Sequence, residues 1–262
     1  MAEKNYRAIA IFDIDGVIRD VGGSYRRALA DTVEQFTGGA YRPSQEEIDR
    51  LKGEGIWNND WEGSQELVYR YFERQGKERS QLSFTYEEIV AFFQSKYRGT
   101  DPVKWNGYIC EEPLLVTAEY FEQLSAAQIG WGFFSGATRG SATYILEKRI
   151  GLRSPALLAM EDAPGKPDPT GLIAVAHQLT PQLSPSIPVI YAGDTVADLH
   201  TVANARMQEP DYQWIAVGIL PPHAQVSTQY RQDYYNKLKK AGAVVVLDRV
   251  TDLTPDLLQT LA

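Results

Sequence analysis

Asp13-Ile14-Asp15-Gly16 sets two carboxylates two residues apart at the end of an apolar run, with a glycine next. That spacing can divide labour in phosphoryl transfer. One carboxylate attacks phosphorus and carries an aspartyl-phosphate. The other protonates the leaving oxygen and then activates water. Gly16 permits the tight turn that brings the second carboxylate to the same place. The string also fits a surface turn, but an unsolvated strand ending in paired charges is costly unless the charges are used.

Three further segments have chemistry to offer. Ser135-Gly136-Ala137-Thr138 follows the apolar run Trp131–Phe134. The Ser135 hydroxyl can donate to a phosphate oxygen, and small Gly136 lets backbone N–H groups approach an anion. An ordinary helix cap is the alternative. Gly165-Lys166-Pro167-Asp168-Pro169 holds a lysine between stiff neighbours. Lys166 can offset charge on a phosphoryl group and on Asp13, or it is a solvated loop lysine. Gly193-Asp194-Thr195-Val196-Ala197-Asp198 puts a second aspartate one helical turn beyond the first. With Asp13 these carboxylates would make an oxygen-rich site for Mg²⁺, a hard cation; the alternative is one capping and one surface aspartate. All four segments lie at or just after an expected strand end, which favours one shared site.

The elements that must position them alternate. Ala8–Ile14 is apolar nearly throughout, as a parallel strand covered on both faces should be. From about Cys110 onward, apolar runs at Trp131–Phe134, Ala156–Met160, Val189–Ala192, Trp214–Leu220 and Ala243–Leu247 alternate with helical patterns such as Ser141–Ile150, Thr170–Leu179 and Thr228–Lys240. That alternation predicts an α/β fold with a doubly wound, Rossmann-like parallel sheet. Ser24 to about Arg98 is different. It offers amphipathic stretches and two capping boxes, Ser44–Glu47 and Thr85–Glu88, and no convincing strand. The expected organisation is a core of residues 1–20 and 109–262, with an α-helical cap, 21–108, inserted after the first strand.

Composition bounds the function. The 262-residue chain carries a net charge of −8, against a nucleic-acid or anionic-membrane surface. The single Cys110 cannot form an internal disulfide. Residues 1–7 run into the first strand without a signal-peptide pattern, so cytoplasm is the expected location.

DIDGV, GKPDP and GDTVADLHTVANA, with the looser FFSG, resemble the haloacid dehalogenase superfamily, in the subfamily I branch with a helical cap. The resemblance covers nearly the whole chain. It implies Asp13 as nucleophile, Asp15 as general acid/base, Ser135 as the motif-two hydroxyl and Lys166 as the motif-three lysine. It implies Mg²⁺ on a side-chain oxygen of Asp13, the backbone carbonyl of Asp15 and the side chain of Asp194. Asp198 would orient that metal site, directly or through water. Haloacid dehalogenases themselves need no metal and lack the second aspartate. Asp15 therefore favours a phosphatase acting on a small-molecule phosphate ester. A phosphomutase, a non-catalytic phosphate-binding protein and a homodimer joined through the cap are alternatives the sequence leaves open. In the cap, Lys52, Asn58 and Asn59 are candidate substrate contacts in a glycine-containing stretch, and Asn58–Asp60 equally suits a helix cap. Arg19 and Arg26 lie near the hinge and could also reach the substrate. His177, His200 and His223 fall in no motif.

Overall fold

The computed structural model describes residues 6–57, 59–180 and 184–261. Its sheet contains β1 (Ala8–Phe12), β2 (Ile129–Phe134), β3 (Ala156–Leu158), β4 (Val189–Gly193), β5 (Trp214–Ile219) and β6 (Val245–Leu247). All pair in parallel, in the order β3-β2-β1-β4-β5-β6. The helices, in chain order, are α1 (Tyr25–Phe36), α2 (Gln45–Lys52), α3 (Asp60–Glu73), α4 (Tyr86–Tyr97), α5 (Ala118–Ala126), α6 (Arg139–Thr143), α7 (Thr170–Leu179), α8 (Val196–Gln208), α9 (Thr228–Lys240) and α10 (Pro255–Leu261).

The chain divides into two compact units. Residues up to Asp20 and from Leu114 onward form one; Val21–Pro113 form the other. In the first unit helices cover both faces of the sheet, which is why its central strands are apolar on both. Ile9 and Ile11 share a core with Leu172, Val175, Leu199 and Val202 of α7 and α8. Phe12 points to the opposite face, edge-on to Tyr120 and Phe121 of α5 at 6.0 and 5.8 Å.

The strand order fixes where a site can form. From β1 the chain steps outward through β2 to β3, then returns to the other side of β1 as β4. In an open α/β sheet, ligands bind outside the carboxyl ends of the strands at that reversal. Phe12 pairs with Phe133 on one side and Ala192 on the other. Asp13, Ser135 and Asp194 each follow just beyond those three strand ends.

The edge strands are shorter than the apolar runs. Met160 N–H leaves the ladder for the Ala137 carbonyl, and Ala243 N–H closes the end of α9 on Leu238. The helical pattern at 141–150 forms as α6 and a wider π-helical stretch, Tyr144–Ile150, stopped by Gly151 at φ 91°. Seven-residue α10 is too short to announce itself as a periodic pattern. It packs on β1, and nearby the Tyr120 hydroxyl donates to the Leu253 carbonyl at 2.9 Å.

The second unit is helical. α1 packs on α3 and α4, and Tyr25 lies 4.0 Å from the Tyr97 ring. Both capping boxes form as their sequences require, at Ser44–Glu47 and Thr85–Glu88. The unit runs to Pro113 because the turn Tyr108–Glu111 packs on α1 and α4.

Candidate active site

Lys166 Nζ lies 2.9 Å from Asp13 Oδ2 and 2.6 Å from Asp198 Oδ1. Asp13, Asp194 and Asp198 each offer a carboxylate oxygen, all within 4.8 Å of one another, and all three side chains are buried. β1 delivers Asp13, whose N–H continues the ladder to the Ala192 carbonyl. β4 delivers Asp194, and the first turn of α8 delivers Asp198. The Lys166 loop is tied down where Asn204 of α8 donates to the Pro167 carbonyl at 2.9 Å. Ser135, 1% exposed, follows β2, and its Oγ accepts from Ala137 N–H at 3.1 Å.

Asp198 is the most committed carboxylate. Oδ1 accepts from Lys166 and from the Tyr191 hydroxyl at 3.2 Å. Oδ2 accepts from the Thr195 backbone at 2.8 Å and the Thr195 hydroxyl at 2.7 Å. Burial would raise its pKa, but the Lys166 charge and the Thr195 donors outweigh burial and hold it below the ordinary range. Asp13 goes the other way. Burial lifts it to about 7 against the pull of Lys166, with repulsion from Asp198 and Asp15 adding to the rise. Burial and the same repulsion push Asp194 well up. Lys166 stays a cation because Asp13 and Asp198 outweigh its burial. With Asp13 and Asp194 ionised, one lysine among three buried carboxylates would leave excess negative charge of the kind a divalent cation offsets, and the all-oxygen donor set suits a hard one.

The family description haloacid dehalogenase-like hydrolase matches residues 8–206, from β1 through most of α8. The chain belongs to this hydrolase family. It is 28% identical over 255 residues to an imidazoleglycerol-phosphate dehydratase from Phytophthora nicotianae, covering 94% of this chain and 52% of that protein. The hydrolase thus spans about half the length of that relative. Its fold resembles Phosphatase Tt82 from Thermococcus thioreducens (TM-score 0.59, 24% identity, 80% of this chain and 92% of that one). It also resembles a HAD hydrolase of family IA, variant 3, from Entamoeba histolytica (TM-score 0.64, 12% identity, 97% and 98%). At these identities the structural likeness is one of fold.

Gly16 shows how tightly the hydrolase packs its carboxylates. It sits at φ +77°, and a Cβ built there would lie 2.2 Å from Asp194 Oδ2. Gly16→Ala is therefore expected to destabilise the protein by about 2–4 kcal/mol, through left-handed backbone strain and overpacking together. Urea unfolding measures it; a loss below about 1 kcal/mol would mean that Asp194 can move aside.

The second-unit candidates are engaged there. Asn59 caps α3, its Oδ1 accepting from Trp61 N–H at 2.9 Å, and Lys52 Nζ lies 2.8 Å from Asp60 Oδ1. Asn58 lies outside the described residues. Arg26, buried, pairs with Asp49 at 2.5 Å within the same unit. Gly136 is exposed and open. No helix among the described residues is long and apolar enough to cross a membrane.

Sequence reasoning missed Tyr191 and Thr195. Tyr191 was hidden inside an apolar strand. Thr195 had a signal: Thr-x-x-Asp is a variant of the capping-box pattern, and the reciprocal cap forms.

Proposed function

We propose that this hydrolase is a magnesium-dependent phosphatase acting on a small phosphate monoester. The observation that carries the reading is Lys166 held between Asp13 and Asp198 at the sheet's switch point. Asp13 is the nucleophile, forming an aspartyl-phosphate as the ester oxygen leaves. Asp15 donates the proton to that oxygen and takes one from the water that releases phosphate. Lys166 and Ser135, with the backbone at Gly136, hold the phosphoryl oxygens. Side chains of Asp13 and Asp194 and the Asp15 carbonyl would hold magnesium, which supplies charge neutralisation as the anionic nucleophile meets the anionic phosphate. Asp198, with both oxygens committed to donors, serves to orient Lys166 and brace the metal site. Lys52, Asn58 and Asn59 remain candidates for contact with the rest of the substrate.

The substrate we propose carries an imidazole ring. The Phytophthora nicotianae relative is named for a dehydratase of imidazole glycerol phosphate, and about half of its length lies outside the match. Dehydration leaves the phosphate ester in place, so a phosphatase sharing that chain would take a phosphate monoester formed after the dehydration step.

Phosphate release from a metabolite panel that includes imidazole-bearing and imidazole-free esters tests both statements. Release that depends on added magnesium is expected. Asp13 and Asp194 must lose protons to bind it, so the magnesium needed for half-maximal rate should rise as the pH falls below about 7. Metal-independent release, or a magnesium requirement that does not change with pH, would count against the metal site. Preference for imidazole-free esters would remove the substrate class and leave the phosphatase.

A further inference from the structure

Arg19 is the bulkiest fully buried side chain among the described residues, at 0% exposure. Its Nε donates to Asp15 Oδ1 at 2.7 Å, and its Nη2 lies 2.5 Å from the same oxygen. Asp15 itself is 29% exposed. Burying a guanidinium is costly unless it is well partnered, and here its Nε hydrogen-bonds, and its Nη2 pairs electrostatically with, one oxygen of a carboxylate that lies beside the reacting centre. The backbone fixes the pair. Ile18 and Arg19 N–H groups both turn back onto the Ile14 carbonyl, Gly16 N–H donates to the Arg19 carbonyl at 2.9 Å, and Leu115 N–H holds the Ile18 carbonyl at 2.9 Å. The loop that carries Asp15 therefore closes on the residue that grips it.

We propose that Arg19 is a positioning residue for proton transfer by Asp15; the inference rests on the phosphatase reading above. Both contacts of the guanidinium with Asp15 fall on Oδ1, so Oδ1 is the permanent acceptor and Oδ2 is the oxygen that carries and releases the proton. In the first step an Asp13 oxygen bonds to phosphorus, the bond to the ester oxygen breaks, and the proton on Asp15 Oδ2 passes to that oxygen. In the second, water oxygen bonds to phosphorus, its proton returns to Oδ2, and the Asp13–phosphorus bond breaks. In this role Arg19 acts through Asp15. It holds the carboxyl plane so that Oδ2 meets first the leaving oxygen and then the water.

Leaving groups of different basicity separate this from a scaffold role. Phenoxide needs a proton as it departs and dinitrophenolate does not. Single-turnover release of phenol and of dinitrophenolate is measured, with magnesium, for the wild type, Arg19→Met and Arg19→Lys. Both variants are expected to slow phenol release by about 10²-fold and dinitrophenolate release by less than about threefold, since a positioned acid contributes that much only where a proton must move. Lysine does not rescue, because its single ammonium lacks the planar fork. The ratio of the two rates is independent of the fraction of variant that folds. Equal slowing of both substrates, or slowing of neither, overturns the proposal. A wild type that releases phosphate from no ester of the metabolite panel, with magnesium present, would instead count against the phosphatase reading.

Discussion

Asp13→Asn lowers turnover by roughly 10⁴-fold or more, the scale seen when the nucleophile of a covalent mechanism is removed. The amide keeps the shape of the carboxyl but has no anionic oxygen to form the phosphoenzyme. Steady-state phosphate release against the wild type measures the loss, and residual activity within about 10²-fold would remove Asp13 from the nucleophilic role. Stability provides the control. Burial raises Asp13 to about 7 in the metal-free protein, above the unfolded value of 3.8 that the same carboxyl returns to. The folded chain therefore binds this proton more tightly. Its contribution is full below the unfolded value and is lost as the pH rises through about 7. At alkaline pH the ionised carboxylate is a burden on the metal-free fold. The variant should then unfold no more easily than the wild type, while remaining inactive. An inactive variant that is also much less stable would show that the change damaged the fold rather than the chemistry.

Lys166→Met is the second large effect, and it has two parts. Loss of a charge aimed at the reacting centre costs about 10²–10³-fold in turnover. Removing the cation between Asp13 and Asp198 also leaves buried carboxylates uncompensated, a loss of about 3–5 kcal/mol for a broken buried pair. The pH dependence has a definite sign. Lys166 helps hold Asp198 below its ordinary range, so that stabilisation is present above the unfolded carboxylate value and fades as the pH falls. The stability gap between variant and wild type should accordingly be widest at neutral to alkaline pH and close in acid, as read by denaturant unfolding without metal. Magnesium should restore part of the stability but little of the rate, because the metal offsets charge without replacing the donor. Lys166→Arg is not expected to recover the rate: a broad planar guanidinium does not fit where one compact ammonium meets two carboxylates. Turnover within tenfold of the wild type would show that the lysine serves the fold alone.

Much of the site was legible because its residues stand where strands end. A parallel strand buried on both faces is apolar along its length, so Asp13, Ser135 and Asp194 show as polar interruptions at the ends of AIAIF, GFF and VIYAG. Local hydrogen bonds were legible for the same kind of reason. Ser44–Glu47, Thr85–Glu88 and Thr195–Asp198 close over three residues, within reach of a sequence pattern. The edge strands were overread because apolar composition continues past the point where backbone groups leave the ladder for other partners.

By itself, the sequence determined the strand-and-helix alternation, the helical character of the segment after the first strand, and the side chains available for chemistry at each strand end. Tertiary structure alone decided which of them meet. Lys166 reaches Asp198 across 32 positions because the order β3-β2-β1-β4-β5-β6 sets the Asp194 strand directly beside the Asp13 strand. Nothing in the spacing says that Asp198 spends both oxygens on donors, that Gly16 is packed against the Asp194 carboxylate, or that Arg19 turns inward onto Asp15. Those outcomes follow from the balance between desolvating a charge and supplying it with partners. That balance is struck only when strands distant in sequence have come together.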